Sequence, residues 1–144
     1  SLAALGPDEA RSWISQLPDG QTRRAAEFTM LDLWTADDPD VAKQYVANIN
    51  SDDDLMSATE HLAQRLAATD PAGAFEWVQS LASEDARERG AVSVASEMAR
   101  TQPVAAIQWI KSWPETIPGK SEALKAALSY AQLSATAERA DASQ

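Results

Sequence analysis

The chain has 144 residues, a formal net charge of −10, 44% hydrophobic and 24% charged residues, and no cysteine. Those values describe a globular chain long enough to bury a core. They exclude disulfides and thiolate metal sites and set the surface against nucleic-acid phosphate and anionic membranes. No apolar run is long enough to span a bilayer and no signal peptide is visible, so the compartment stays open. Leu, Ala and Trp carry the apolar content while Val, Ile and Thr are few, which favours helix over strand.

Residues 1–6 open inside a pattern. Leu2-Ala3-Ala4 stands 64 residues before Leu66-Ala67-Ala68, and each triplet lies just ahead of a proline. The first residue is Ser rather than Met. The expectation is a chain that starts in the last turn of an earlier helix, as a segment of a longer protein. A short capping helix is the alternative.

From Pro7 onward the chain repeats every 32 residues, with Pro7, Pro39, Pro71 and Pro103 opening successive units. Proline suits the first helical position, where its missing N–H has no partner in any case. Asp38 and Asp70 precede it as N-caps, with Gly6 and Gln102 in the other copies. The apolar positions of the first helix in each unit fall at i, i+3, i+4 and i+7, one helical face. They are Ala10, Trp13, Ile14 and Leu17; Ala42, Tyr45, Val46 and Ile49; Ala74, Trp77, Val78 and Leu81; Ala106, Trp109, Ile110 and Trp113. The aromatics at 13, 77 and 109 are expected to fill the core, and Trp113 to be partly exposed. Turns rich in Pro, Gly, Asn, Ser and Asp follow.

The spacing predicts second helices over 22–36, 54–68, 86–100 and 120–133. Their stripe is Ala26, Met30, Leu31 and Trp34 in the first copy, then Ala58, Leu62, Ala63 and Leu66, then Gly90, Val94, Ala95 and Met98, with Ala126, Ala127 and Tyr130 in the last. Alanines at 91, 95, 99 and at 123, 127, 131 form small-residue ridges that permit close helix approach. A fifth unit would need proline at 135 and an aromatic at 141, where Ala135 and Asp141 stand. Residues 134–144 read as a polar C-terminal cap or tail. The domain reading is a repeat array over 1–133, with units 7–38, 39–70, 71–102 and 103–133.

A proline followed six residues later by an aromatic, with small residues Ala26, Ala58 and Gly90 in the second helix, resembles tetratricopeptide-like α-solenoids. The fit is nearer to bacterial helical repeats of the form D-P-x-x-A-x-x-W-(I/V)-x-x-L. The unit here is shorter than the tetratricopeptide one and lacks its Leu-Gly pair. The resemblance covers residues 2–133. It implies an all-α fold, a right-handed α–α superhelix of four helix hairpins with a partial helix ahead of them. It also implies a protein-interaction scaffold.

Candidate chemistry is sparse. Gly119-Lys120-Ser121 resembles the end of a phosphate loop, but position 114 is Pro and a helix precedes it; Ser121 is expected to cap a helix. Asp52-Asp53-Asp54 fits no calcium-loop register. His61, the single histidine, has no companions for a triad or a metal, and its column of Thr29, Ser93 and Lys125 predicts an exposed surface residue. No converging carboxylate pair is apparent. The chain therefore reads as non-catalytic, with no cofactor and no metal.

The column four residues after each proline runs Arg11, Lys43, Phe75, Ile107, and the one after the proline runs Asp8, Asp40, Ala72, Val104. Charged positions in the first two copies become apolar in the last two. Ala72, Phe75, Gln79, Val104, Ile107 and Lys111 are thereby the candidate partner-binding residues, for a protein or peptide of basic or apolar character. The alternative is that Phe75 and Ile107 pack between neighbouring units. The functional expectation is a scaffold or adaptor module. A helical accessory domain of a larger enzyme is the alternative, and a pure spacer is the third reading.

Overall fold

The computed structural model describes residues 7–18 and 20–142. Among these there are eight helices and no strands: α1 (Pro7–Ser15), α2 (Gln21–Asp37), α3 (Pro39–Ala47), α4 (Asp52–Ala67), α5 (Pro71–Gln79), α6 (Glu84–Thr101), α7 (Pro103–Lys111) and α8 (Lys120–Ala142). Short and long helices alternate, and every short one is nine residues long and starts on its proline. The Asp38 carboxylate accepts from the Asp40 N–H and the Asp70 carboxylate from the Gly73 N–H. Ser51 and Ser83 cap α4 and α6 in the same way, through Asp54 and Ala86. The expected caps at Asp38 and Asp70 are therefore present, whereas the Gln102 side chain makes no cap bond. Gly6 and the Leu2-Ala3-Ala4 triplet lie outside the described residues.

The long helices pack on one another in sequence, α2 on α4, α4 on α6 and α6 on α8. Each of α3, α5 and α7 sits against the long helix before it and the one after it. The small column of the short helices, Ala10, Ala42, Ala74 and Ala106, is fully buried, as are Ile14, Val46, Val78 and Ile110. An alanine lets the neighbouring backbone approach, and the β-branched residue beside it fills the gap that remains. One buried cluster runs from Ala10 to Val94 and a second from Ala91 to Ala127. Phe75 and Trp109 touch both. Ala91, Ala95, Ala99, Ala123 and Ala127 lie together in the second cluster, where α6 packs on α8. α6 comes close to α5 at Gly90, where an added Cβ would stand 2.7 Å from both Val78 methyls.

Three expectations change. Trp13 is 39% exposed rather than core. In the same column Tyr45 and Trp77 are buried, Tyr45 against Trp34 of α2, and Trp109 is half-buried. Trp113 is 4% exposed rather than at the surface, because it stacks on Phe75 with ring centroids 4.4 Å apart. Residues 134–142 continue α8 as helix, consistent with the high helix propensity of Ala, Glu and Arg there, and the side chains of residues 134–140 stay largely exposed.

Candidate functional site

The six residues singled out on the short helices separate. Phe75 is half-buried, stacked on Trp113 and edge-on to Trp109 at 5.5 Å and 72°. Ile107 packs against the second cluster. These two thus take part in packing while each remains half-buried. Ala72 and Lys111 are exposed and Val104 is 64% exposed. Gln79 is half-buried, with its Nε2 lacking a hydrogen-bond partner. Of the six, Ala72, Val104 and Lys111 are thus exposed, and Phe75, Gln79 and Ile107 are half-buried.

A larger concavity lies across the long helices. A cleft of about 700 Å³ is lined by α4, α6 and the start of α8. Its charged groups are Asp52, Asp53, Glu60, Asp85, Glu88 and Glu122, against the single cation Arg89. The Ser51 and Ser83 caps fix the first turns that carry Asp52, Asp53 and Asp85, where the helix dipole favours acids. Arg89 bridges the two helices through Glu60 at 3.0 Å. Glu60 and Ser93 also line the adjoining hollow around His61, and Gln64 and Ser93 continue it to Glu97, Arg100 and Tyr130. The Arg100 hydrogen bond holds the Glu97 carboxyl below the usual range, against the opposing effect of its burial.

His61 is not the exposed residue that its column predicts. It is half-buried, stacked face to face on Phe28 with centroids 4.2 Å apart. Its Nε2 shares a 2.7 Å hydrogen bond with Asp32, which also takes the Arg65 guanidinium at 3.0 Å. Sequence reasoning missed this α2–α4 clasp because its own column is polar throughout. The signal was one position away, where Phe28 stands in a column with Glu60, Val92 and Leu124.

A third feature sits between the first two hairpins. The Tyr45 hydroxyl donates to Glu27 at 2.9 Å, and the Arg11 guanidinium carbon lies 5.4 Å above the Tyr45 ring. Burial raises the Glu27 carboxyl above its usual range, with the Tyr45 hydrogen bond opposing it. Burial, followed by the nearby Glu27 charge, also pushes the Tyr45 phenol upward.

At Gly119-Lys120-Ser121 the Gly119 carbonyl accepts from Ala123 N–H at the head of α8, so the glycine rather than Ser121 stands in the capping position. Gly119 has φ +86°, the left-handed region that favours glycine. Lys120 donates to the carbonyls of Trp113 at 2.7 Å and Lys111 at 3.5 Å, and pairs with Glu115 at 2.6 Å. Its ammonium closes the end of α7 rather than waiting for a phosphate. Among the described residues no group of three or more His, Asp or Glu side chains is placed to hold a metal ion, and no helix is long and apolar enough to cross a membrane.

No known family model, curated protein or solved structure matches the chain.

Proposed function

We propose that the chain is a non-catalytic scaffold, a solenoid of four 32-residue helix hairpins that captures a basic segment of a protein or peptide along its row of long helices. The observation that carries this reading is the 700 Å³ cleft with six carboxylates and one guanidinium on α4, α6 and α8. Like charges gathered on one concave wall raise the local potential and attract a counter-charged partner. Partly excluded water makes each pairing stronger than at a flat surface. The serine caps and the Glu60–Arg89 bridge hold these carboxylates on fixed helix turns, so a partner meets a pre-ordered surface. Stacked hairpins also lengthen such a surface without a new fold, which suits an extended ligand.

The test is fluorescence anisotropy with a Lys/Arg-rich peptide and a Glu-rich counterpart across a salt series. The basic peptide binds, and binding weakens as salt rises. The combined variant Asp85→Lys, Glu88→Lys, Glu122→Lys lowers its affinity by about tenfold or more, whereas Val104→Lys does not. Equal binding of both peptides, or indifference to the triple reversal, would remove this reading.

A further inference from the structure

The long helices meet one another through recurring pairs. Asp32 bonds His61 at 2.7 Å and Glu60 takes Arg89 at 3.0 Å, each across 29 residues of chain. Gln64 donates to Glu97 at 3.5 Å across 33 residues. Asp32 with Arg65, and Phe28 with His61, stand at that same separation. The forward face of a long helix thus lies in the columns of Phe28 and Asp32. The backward face lies in the columns of Arg89, His61 and Arg65. A further pair joins long to short, with the Trp34 ring of α2 tilted against Tyr45 of α3 at 5.3 Å.

Two such faces are open among the described residues, the forward face of α8 and the backward face of α2. On α8 the forward columns hold Leu124 and Leu128, with Leu128 45% exposed. On α2 the backward columns hold Ala25, Thr29 and Leu33, all exposed, with Leu33 at 44%. The column of Leu128 is Asp32, Gln64 and Ser96 in the other copies, and that of Leu33 is Arg65, Glu97 and Ser129. Leucine enters each of these columns only in the copy that faces outward. An end that met water alone would favour a polar outer face, as capping units of repeat arrays have.

The two open faces match one another. Carried past α8 by 33 residues in units of 32, the column of Leu128 falls on that of Leu33, just as Asp32 meets Arg65. Carried by 29, it falls on that of Thr29, as Asp32 meets His61. Leu124 falls by the same two steps on Ala25 and Thr29. The step from Trp34 to Tyr45 carries the half-buried Tyr130 onto Trp13, the exposed aromatic of α1.

We infer that these faces form a head-to-tail contact between copies of this chain, in which α8 of one copy packs on α2 of the next as α2 packs on α4. Leu128 against Leu33 is its centre, with Tyr130 against Trp13 beside it. The two surfaces differ, so each copy keeps one open face after docking. The assembly therefore extends into a ring or filament rather than closing as a twofold pair. Apolar burial drives the contact, and the charge of −10 on each copy opposes it. Salt that screens this repulsion strengthens the contact. The acidic cleft plays no part in it.

The experiment is sedimentation velocity on the whole chain over a concentration series at low and high salt. The average mass rises past that of a dimer with concentration, and rises further with salt. Leu33→Asp and Leu128→Asp each set a charge at the centre of the contact and weaken association by about tenfold or more. Both positions are exposed, so thermal melts of dilute protein keep the wild-type midpoint. Leu33→Asp retains an intact α8 face and Leu128→Asp an intact α2 face. A mixture of the two variants therefore forms a dimer and stops there, while the combined variant stays monomeric. A wild type that remains monomeric or stops at a dimer, a mixture no heavier than either variant alone, or association that salt dissolves would each overturn the assignment.

Discussion

The junction between the first two helix pairs and that between the last two draw on matching columns of the sequence and differ in what fills them. At the first, Arg11 lies over Tyr45, Glu27 is buried beneath the phenol, and a cavity of about 250 Å³ remains. At the last, Phe75 meets Trp109 in the equivalent position, Trp113 stacks on Phe75, and Ala91 occupies the place of Glu27. Trp109 and Trp113 are themselves edge-on at 5.1 Å. Matching columns thus hold an aromatic plug at one end and a polar chamber at the other. Side-chain volume and polarity within a few columns set the two ends apart.

The largest expected effect breaks the plug. Trp113→Ala should lower unfolding free energy by about 3–5 kcal/mol, as for other buried aromatic truncations, measured by urea denaturation. Phe75→Lys should destabilise in the same direction, since its ring belongs to the packing; an unchanged midpoint would return Phe75 to the candidate surface. Next comes the chamber. Tyr45→Phe keeps the ring but leaves the Glu27 carboxyl, 5% exposed, without its donor, at a cost of about 1–3 kcal/mol.

A third variant sharpens the comparison through pH. Because folded Glu27 holds its proton to higher pH than the unfolded chain does, stability falls as pH rises from the usual carboxylate range through the folded pKa. Glu27→Gln should flatten that fall in thermal melts. Glu97 works with the opposite sign, losing its contribution as pH drops below that range, so the two are separable by direction. The smallest effect is expected at Val104→Lys, which should stay within about 0.5 kcal/mol because the site is open to solvent.

Much of the scaffold is legible in the sequence. The four prolines fix where the short helices begin, and Asp38 and Asp70 cap as their side chains dictate. The Ala and Val/Ile columns are buried as the 3.6-residue period requires. Trp13 shows the limit, since a column names the face of a helix but not what covers it. Trp113 errs the other way, because its burial depends on a stacking partner, Phe75, from another unit. His61 was hidden for the same reason, since Phe28 and Asp32 reach it from the preceding long helix. The candidate cleft depends on side chains from several helices, and no single column reveals it.

The bond from Lys120 to the end of α7 bears on chemical reactivity. The chain's lysines are Lys43, Lys111, Lys120 and Lys125, and the Lys120 side chain is 13% exposed with its ammonium engaged by two carbonyls and Glu115. An acylating reagent therefore meets three accessible amines along the helices and one that is sheltered. Mass-spectrometric labelling at Lys120 would rise only when the α7–α8 turn opens, making this residue a built-in reporter of local unfolding at that end of the chain.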